Sequence, residues 1–562
     1  MAEVQIIRIC SLGLCALLLA GQAGSPALAN REDSRAALNR FVEARFAESF
    51  NAMQSATAIY ADSLKEQPDN ELLAGKAYVS AIEVGDFALA TKAVKTLQLR
   101  GKAAPEMPLL PFAEAFAQQD WKGANLAIVE LETLKNFAFM EPFLAAWLET
   151  AEGKNGSPSL RRAEGNATAR FYLEEQRILH KLATQQDEDV IGLLADVVKS
   201  NDRRMAPLRI IAAQHFWAKD DPVSAKEILK LRQTGAEQRL HQQIEAGLKR
   251  GVSQKVTPSI GLAFLFQRLS NDLAAQRAGF LSQVMAQASF QVTRKSDYAR
   301  LTLGRTFAEA DSHDLAVVQF KQIKQNGPYF LVGMSMETAS LVADKHYDRA
   351  LERLDSAVKS NPDTPELFIL MGQTLQGQGK DKEAAAAFQS AIALGEKLGR
   401  SDALMASYWL ALGGAQEQAG IWPAGLDSLK KANELLPGSP TILNYLGYAQ
   451  LERRENKAEA VEAIKQAHEL RSSSPAITDS LGWAYFIIGE HERAVTYLET
   501  ALAGQPQDPT INEHLGDAYW TVGRLYEARY AWKSAKLFAE GEDLQRLAGK
   551  IDLGLQPDLI SP

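Results

Sequence analysis

Cysteine is nearly missing from this chain: of 562 residues, only Cys10 and Cys15 carry a thiol. The chain beyond residue 15 therefore has no disulfide, no thiolate metal ligand and no cysteine nucleophile. Long apolar runs are equally scarce. Ile9–Ala20 is twelve residues long, too short to span a bilayer, and no second run reaches eighteen. An excess of positive charge is also missing. Sixty-one Lys and Arg stand against 69 Asp and Glu, a net charge of −8, which argues against nucleic acid and gives no help on anionic lipid. The eight histidines are His180, His215, His241, His313, His346, His468, His491 and His514. No two lie three, four or five apart, so no helix presents a two-histidine metal face. There is no Gly-x-x-x-x-Gly-Lys-Ser/Thr phosphate loop and no Gly-x-Ser-x-Gly elbow. Glu174-Glu175 and Asp187–Asp189 read as solvated helix faces. No cofactor, metal or catalytic residue is expected.

What is present is a beat. Gly304, Thr338, Gly372, Gly413, Gly447, Gly482 and Gly516 recur at steps of 34, 34, 41, 34, 35 and 34 residues. Ala316, Ala350, Ala384, Ala494 and Ala528 follow their markers by twelve residues, and Ala357, Ala391, Ala432, Ala501 and Ala535 by nineteen. Between them stand Phe320, Leu354, Phe388, Leu429, Leu498 and Trp532. Two helices approach closely only where side chains are small, and each large residue fills the space between. Pro362, Pro437 and Pro506 mark where the second helix of a pair ends, because proline has no N–H for the ladder.

The 34-residue period and these slots resemble the tetratricopeptide repeat family, in which each repeat is one helix-turn-helix. Leu481-Gly482-x-x-Tyr485, with Ala494, Leu498, Ala501 and Pro506, is the best copy. The resemblance implies an all-α superhelix, an α-solenoid whose function lies in what it holds. The 41-residue step requires about seven extra residues near Gly395–Asp402, as a longer loop or two added turns of helix. The 35-residue step places one insertion near Arg453–Lys457.

The resulting organisation is a leader over 1–29, degenerate helical repeats over 30–251, transition helices over 252–290, a regular array over 291–540, and a capping helix and tail over 541–562. In the degenerate part, Phe112–Ala117 pairs with Trp121–Ile128, and Leu208–Trp217 with Ser224–Leu231. Gly153–Gly165 reads as a loop. Gly261–Leu269 and Asp272–Gln287 read as the transition helices. Leu544, Leu547, Ala548 and Ile551 give the cap one apolar face, and Pro557–Pro562 reads as a frayed tail.

Ahead of all this, Arg8, the apolar Ile9–Ala20 and Ala27-Leu28-Ala29 form a secretory signal cleaved before Asn30. Leu14 directly before Cys15 departs from the pattern of a lipid-modified cysteine. An exported chain without disulfides points to a bacterial periplasm.

The resemblance also implies a groove. In this family the first helix of each repeat lines the concave surface at slots three before, one after and four after the marker. In the last three repeats these are Asn444, Tyr448 and Leu451; Asp479, Trp483 and Phe486; Glu513, Asp517 and Trp520. Aromatics mixed with carboxylates suit a partner-binding surface, with packing between first helices as the other reading of the tryptophans. The acids disfavour a partner's terminal carboxylate, so a basic or mainly apolar protein segment fits better. Asp479-Ser-Leu-Gly-Trp-Ala-Tyr485 resembles large exported repeat proteins of Gram-negative bacteria, some of which deliver substrates to a periplasmic protease. The expectation is a non-enzymatic scaffold or adaptor. The rival class, a cell-wall glycan-processing enzyme with its site in the N-terminal half, is supported by no spacing. N-terminal sequencing of the exported protein should find Asn30 first; labelling by a lipid precursor that is lost on Cys15→Ser would contradict this.

Overall fold

The computed structural model describes residues 31–188, 190–199, 206–230, 253–539 and 541–561. The leader and its cleavage site lie outside them. Among the described residues there are 29 α-helices, two short 3-10 turns and no strand. None of these helices is long and apolar enough to cross a membrane.

The helices stack as antiparallel pairs, and the small-residue slots explain how. All ten alanines named above are fully buried. A Cβ added to Gly304 would fall 2.5 Å from the Phe320 ring, at Gly372 2.4 Å from Phe388, and at Gly516 2.4 Å from Trp532. Each marker glycine therefore lets the second helix of its own pair lay a large side chain on bare backbone. Pro365, Pro440, Pro475 and Pro509 open first helices, where the missing N–H costs nothing.

The two irregular steps are absorbed differently. Asp381–Lys397 runs 17 residues where Tyr347–Ser360 runs 14, and Asp402–Gln418 runs 17 where Pro365–Gly377 runs 13. The longer step is thus added helix on both sides of a short turn. The single insertion sits in the 453–456 turn, where both Arg454 and Asn456 take positive φ.

Three sequence expectations need correction. Gly153–Gly165 is not all loop: Ser157–Arg162 is a helix, started by Pro158 and anchored by buried Leu160. The transition segment is one helix, Pro258–Ala275, and a second, Gly279–Val292. Its break falls at the positive-φ Arg277, because Ser270 is buried against Ser282 and continues the helix. The stretch before residue 562 is not frayed, since Ser561 is buried and hydrogen-bonded.

Those two helices decide the shape of the first half. They pack on Glu71–Val84, Leu109–Ala117, Glu141–Ala151 and Arg170–Ala183, which are the first helices of successive pairs. They therefore fill the concave side of the N-terminal solenoid. Gly261 presses its backbone on Trp147, and Gln287 Nε2 donates to the Ile82 carbonyl at 2.5 Å. Arg268 donates through Nε to both Glu175 oxygens at 2.8 and 3.0 Å, and through Nη1 to Asp272 at 3.1 Å. One continuous core runs from Ala44 to Tyr329. Beyond it the core breaks into small clusters, each shared by neighbouring pairs, as a nearest-neighbour stack requires.

Ala494→Glu or Ala528→Glu should therefore unfold the C-terminal array, since a carboxylate there is buried unpaired at a cost of roughly 3 kcal/mol or more. Thermal unfolding checks it, and wild-type melting of both variants would contradict the helix contacts described.

Candidate partner-binding groove

The first helices of the last three regular repeats are Pro440–Glu452, Pro475–Ile487 and Pro509–Thr521. The helix Glu542–Leu553 follows in step, with Lys550 standing 34 residues after Gly516. Among the described residues no further helix follows it. Leu547, one of the apolar positions expected there, is buried, while Leu544 is 37% exposed.

Of the nine slot residues Leu451 is buried in the core, and the other eight fall into two groups. Trp483 is 1% exposed and lies between Phe486 and His514, with ring centroids at 4.6 and 4.1 Å and planes within 10°. Phe486 is buried beside it. Glu513 and Asp517 are buried by the cap: Lys550 Nζ donates to Glu513 at 2.6 Å and to Asp517 at 2.8 Å. Arg546 adds a two-pronged contact to Glu513, both bonds 2.8 Å long. The Ser561 N–H and Trp532 Nε1 donate to Asp517 at 3.0 and 2.8 Å. Trp520 is half-buried against the Gly554 backbone, with Arg529 4.8 Å from its ring centre. In this structure these five side chains meet the chain itself. Asn444 and Tyr448 instead border a cavity, and Asp479 borders it too while buried against His514.

Three carboxylates on the concave face follow one rule. Glu417 accepts from Arg453 at 2.6 Å, Asp479 lies 3.0 Å from His514 Nδ1, and Glu513 accepts from Arg546 and Lys550. Each acid is held by a cationic or imidazole side chain of the next first helix. The acids expected to set a partner's register thus couple repeat to repeat. Burial opposes the charge of Glu513, but Arg546 and Lys550 prevail and hold its carboxyl at about 2. For Asp517, burial pushes the carboxyl up in spite of Lys550.

Between these contacts lies a cavity of about 580 Å³, bordered by Glu417, Asn444, Tyr445, Tyr448, Glu452 and Asp479, among others. A second of about 220 Å³ continues from Tyr448 and Thr510 to Arg546 and Ser561. Tyr445 donates to Glu417 at 2.7 Å, and the Arg453 guanidinium lies 4.2 Å from the Trp422 ring centre. Burial, with Glu452 and Asp479 nearby, raises the Tyr448 phenol above its ordinary range. Burial, then Glu417, raises the Glu452 carboxyl. Tyr445, Glu452 and Glu417 are lining residues that the three slots of the last three repeats miss. Glu417 was within reach, since it stands four after Gly413, the slot of Leu451, Phe486 and Trp520.

The acidic pairs of the first half are otherwise engaged. Glu175 meets Arg268, Glu174 meets Arg177, and Asp187 meets Lys219 and His215. Asp189 lies outside the described residues. Asp314, Asp344 and His346 lie close enough together to hold a metal, but all three are exposed.

Models of the tetratricopeptide repeat match residues 340–398 and 396–535. Residues 340–535 are tetratricopeptide repeats. Among curated proteins, protein bimA of Emericella nidulans is 27% identical over 107 residues, 19% of this chain and 13% of that protein. Solved structures with a similar arrangement include the APC/C hetero-tetramer Cut9-Hcn1, at 13% identity and TM-score 0.38 over 92% of this chain and 96% of that one. Yeast Tom70 is similar at 11% identity and TM-score 0.37, covering 93% and 96%. PilW, a type IV pilus biogenesis factor, is similar at 20% identity and TM-score 0.29, covering 33% and 84%.

Lys550→Ala should leave Asp517 without its cation and weaken the cap by roughly 3–5 kcal/mol, read as faster amide exchange over 509–553. Acid should act on the same contact. With its carboxyl held down, Glu513 contributes stability that is complete above its ordinary value of 4.5 and lost as pH falls through about 2. Amide protection of the cap that stays unchanged across that window would contradict the ion-pair account.

Proposed function

We propose that this protein is a non-enzymatic scaffold of the bacterial envelope that holds an extended segment of a partner protein in the groove over Asp402–Thr521. The carrying observation is the contrast between its two concave faces. The N-terminal one is filled by Pro258–Ala275 and Gly279–Val292, whereas the C-terminal one keeps a cavity of about 580 Å³ walled by Tyr445 and Tyr448. That size falls in the range of ligand clefts, and tyrosines supply contact area at little entropic cost. Asn444, Tyr448 and Asp479 touch the partner. Trp483, Phe486, Glu513, Asp517 and Trp520 support the surface from beneath and from the capped end.

Export to a periplasm is supported by the apolar Ile9–Ala20 followed by Ala27-Leu28-Ala29. Within an envelope, such a groove suits the assembly of protein complexes or the delivery of substrates to a protease. Both need a folded platform that grips a flexible segment.

A photo-crosslinking residue at Tyr448, introduced in the native envelope, should trap a protein partner, while the same residue at exposed Lys430 should not. Tyr448→Ala should weaken that partner by about 2 kcal/mol or more at unchanged melting temperature. Trp483→Ala should behave differently, lowering melting temperature and binding together, because its ring is packing. Partner capture that survives Tyr448→Ala in a folded protein would move the site out of this groove.

A further inference from the structure

Asn444, Tyr448 and Glu452 recur every four residues along one face of Pro440–Glu452, and all three border the larger cavity. That cavity carries four carboxylates, Glu417, Glu452, Asp479 and Asp508, against one guanidinium, Arg453. The other acids have fixed work. Glu417 holds Arg453 at 2.6 Å, Asp479 faces His514 at 3.0 Å, and Asp508 caps its helix by accepting from the Ile511 N–H. Glu452 differs in having no close cation: the Tyr448 hydroxyl is its hydrogen-bond partner, and Arg453 stands 3.9 Å away with its guanidinium already turned to Glu417. A carboxylate whose nearest guanidinium is committed elsewhere lacks one thing, a donor that carries positive charge.

The next stretch of the same face shows that donor in place. There Lys550 and Arg546 enter between Glu513 and Asp517, and Lys550 is fully buried. A cation is thus accommodated on this surface wherever the chain itself supplies one. Resting on the groove reading above, we propose that the groove selects partner segments bearing a lysine or arginine, whose cation enters beside Tyr448 and takes Glu452 as its acceptor. The tyrosine rings at 445 and 448 would flank the aliphatic stem, as they can flank a cation.

The test uses the full-length protein and three pools of short peptides, alike except for a fixed central Lys, Gln or Glu among randomised positions. The Lys pool should be retained about tenfold over the Gln pool, the Glu pool least, and the preference should fade with added salt. Glu452→Gln should abolish the Lys preference without changing melting temperature. Glu462→Gln, a 76% exposed acid of the following helix, should leave it intact. Equal retention of Lys and Gln pools, both released by Tyr448→Ala, would overturn the cation inference and leave the groove standing. Retention of no pool above background would overturn both. A Lys preference that persists in Glu452→Gln would overturn the acceptor assigned here.

Discussion

The contact on which the second half depends is the meeting of a bare helix backbone with a large side chain. Gly516 against Trp532, Gly482 against Leu498 and Gly372 against Phe388 are the same contact one or more repeats apart. It sets how close the two helices of a pair lie, and with fully buried alanines on the second helix it sets how the next pair seats. Because each pair leans mainly on its neighbours, the concave surface is a readout of first-helix positions repeated at a fixed spacing. The groove follows from that regularity.

Charge runs along this surface as a second ladder. Glu417–Arg453, Asp479–His514 and Glu513–Arg546 each join one first helix to the next. Partly buried acids would be costly if unpaired, so placing the partner cation one repeat on converts a penalty into a join between repeats. The ladder stops at the cap, where Lys550 closes it, and it is interrupted at Glu452.

The two halves use one building unit to opposite ends. In the second, the stack stays open on its concave side. In the first, the chain returns and lays two of its own helices inside, joined by Gln287 to the Ile82 carbonyl and by Arg268 to Glu175 and Asp272. A solenoid filled this way shares one core across its pairs.

Much of this was legible in the residues. A 34-residue beat of small side chains, with a large one between, specifies local pairing, so the helix pairs, their turns and the excess length after Phe388 could be read directly. Of the first-helix slots, Asn444, Tyr448 and Asp479 border the cavity. What the slots could not show was occupancy. Whether Trp483 faces a ligand or His514, and whether Asp517 meets solvent or Lys550, depends on side chains a full repeat away. The inward turn of Pro258–Val292 was hidden more deeply, since Gln287 and Ile82 lie 205 residues apart and share no period. Periodic sequence determines what each helix does to its neighbour; where the chain folds back upon itself is decided only by the curvature of the assembled stack.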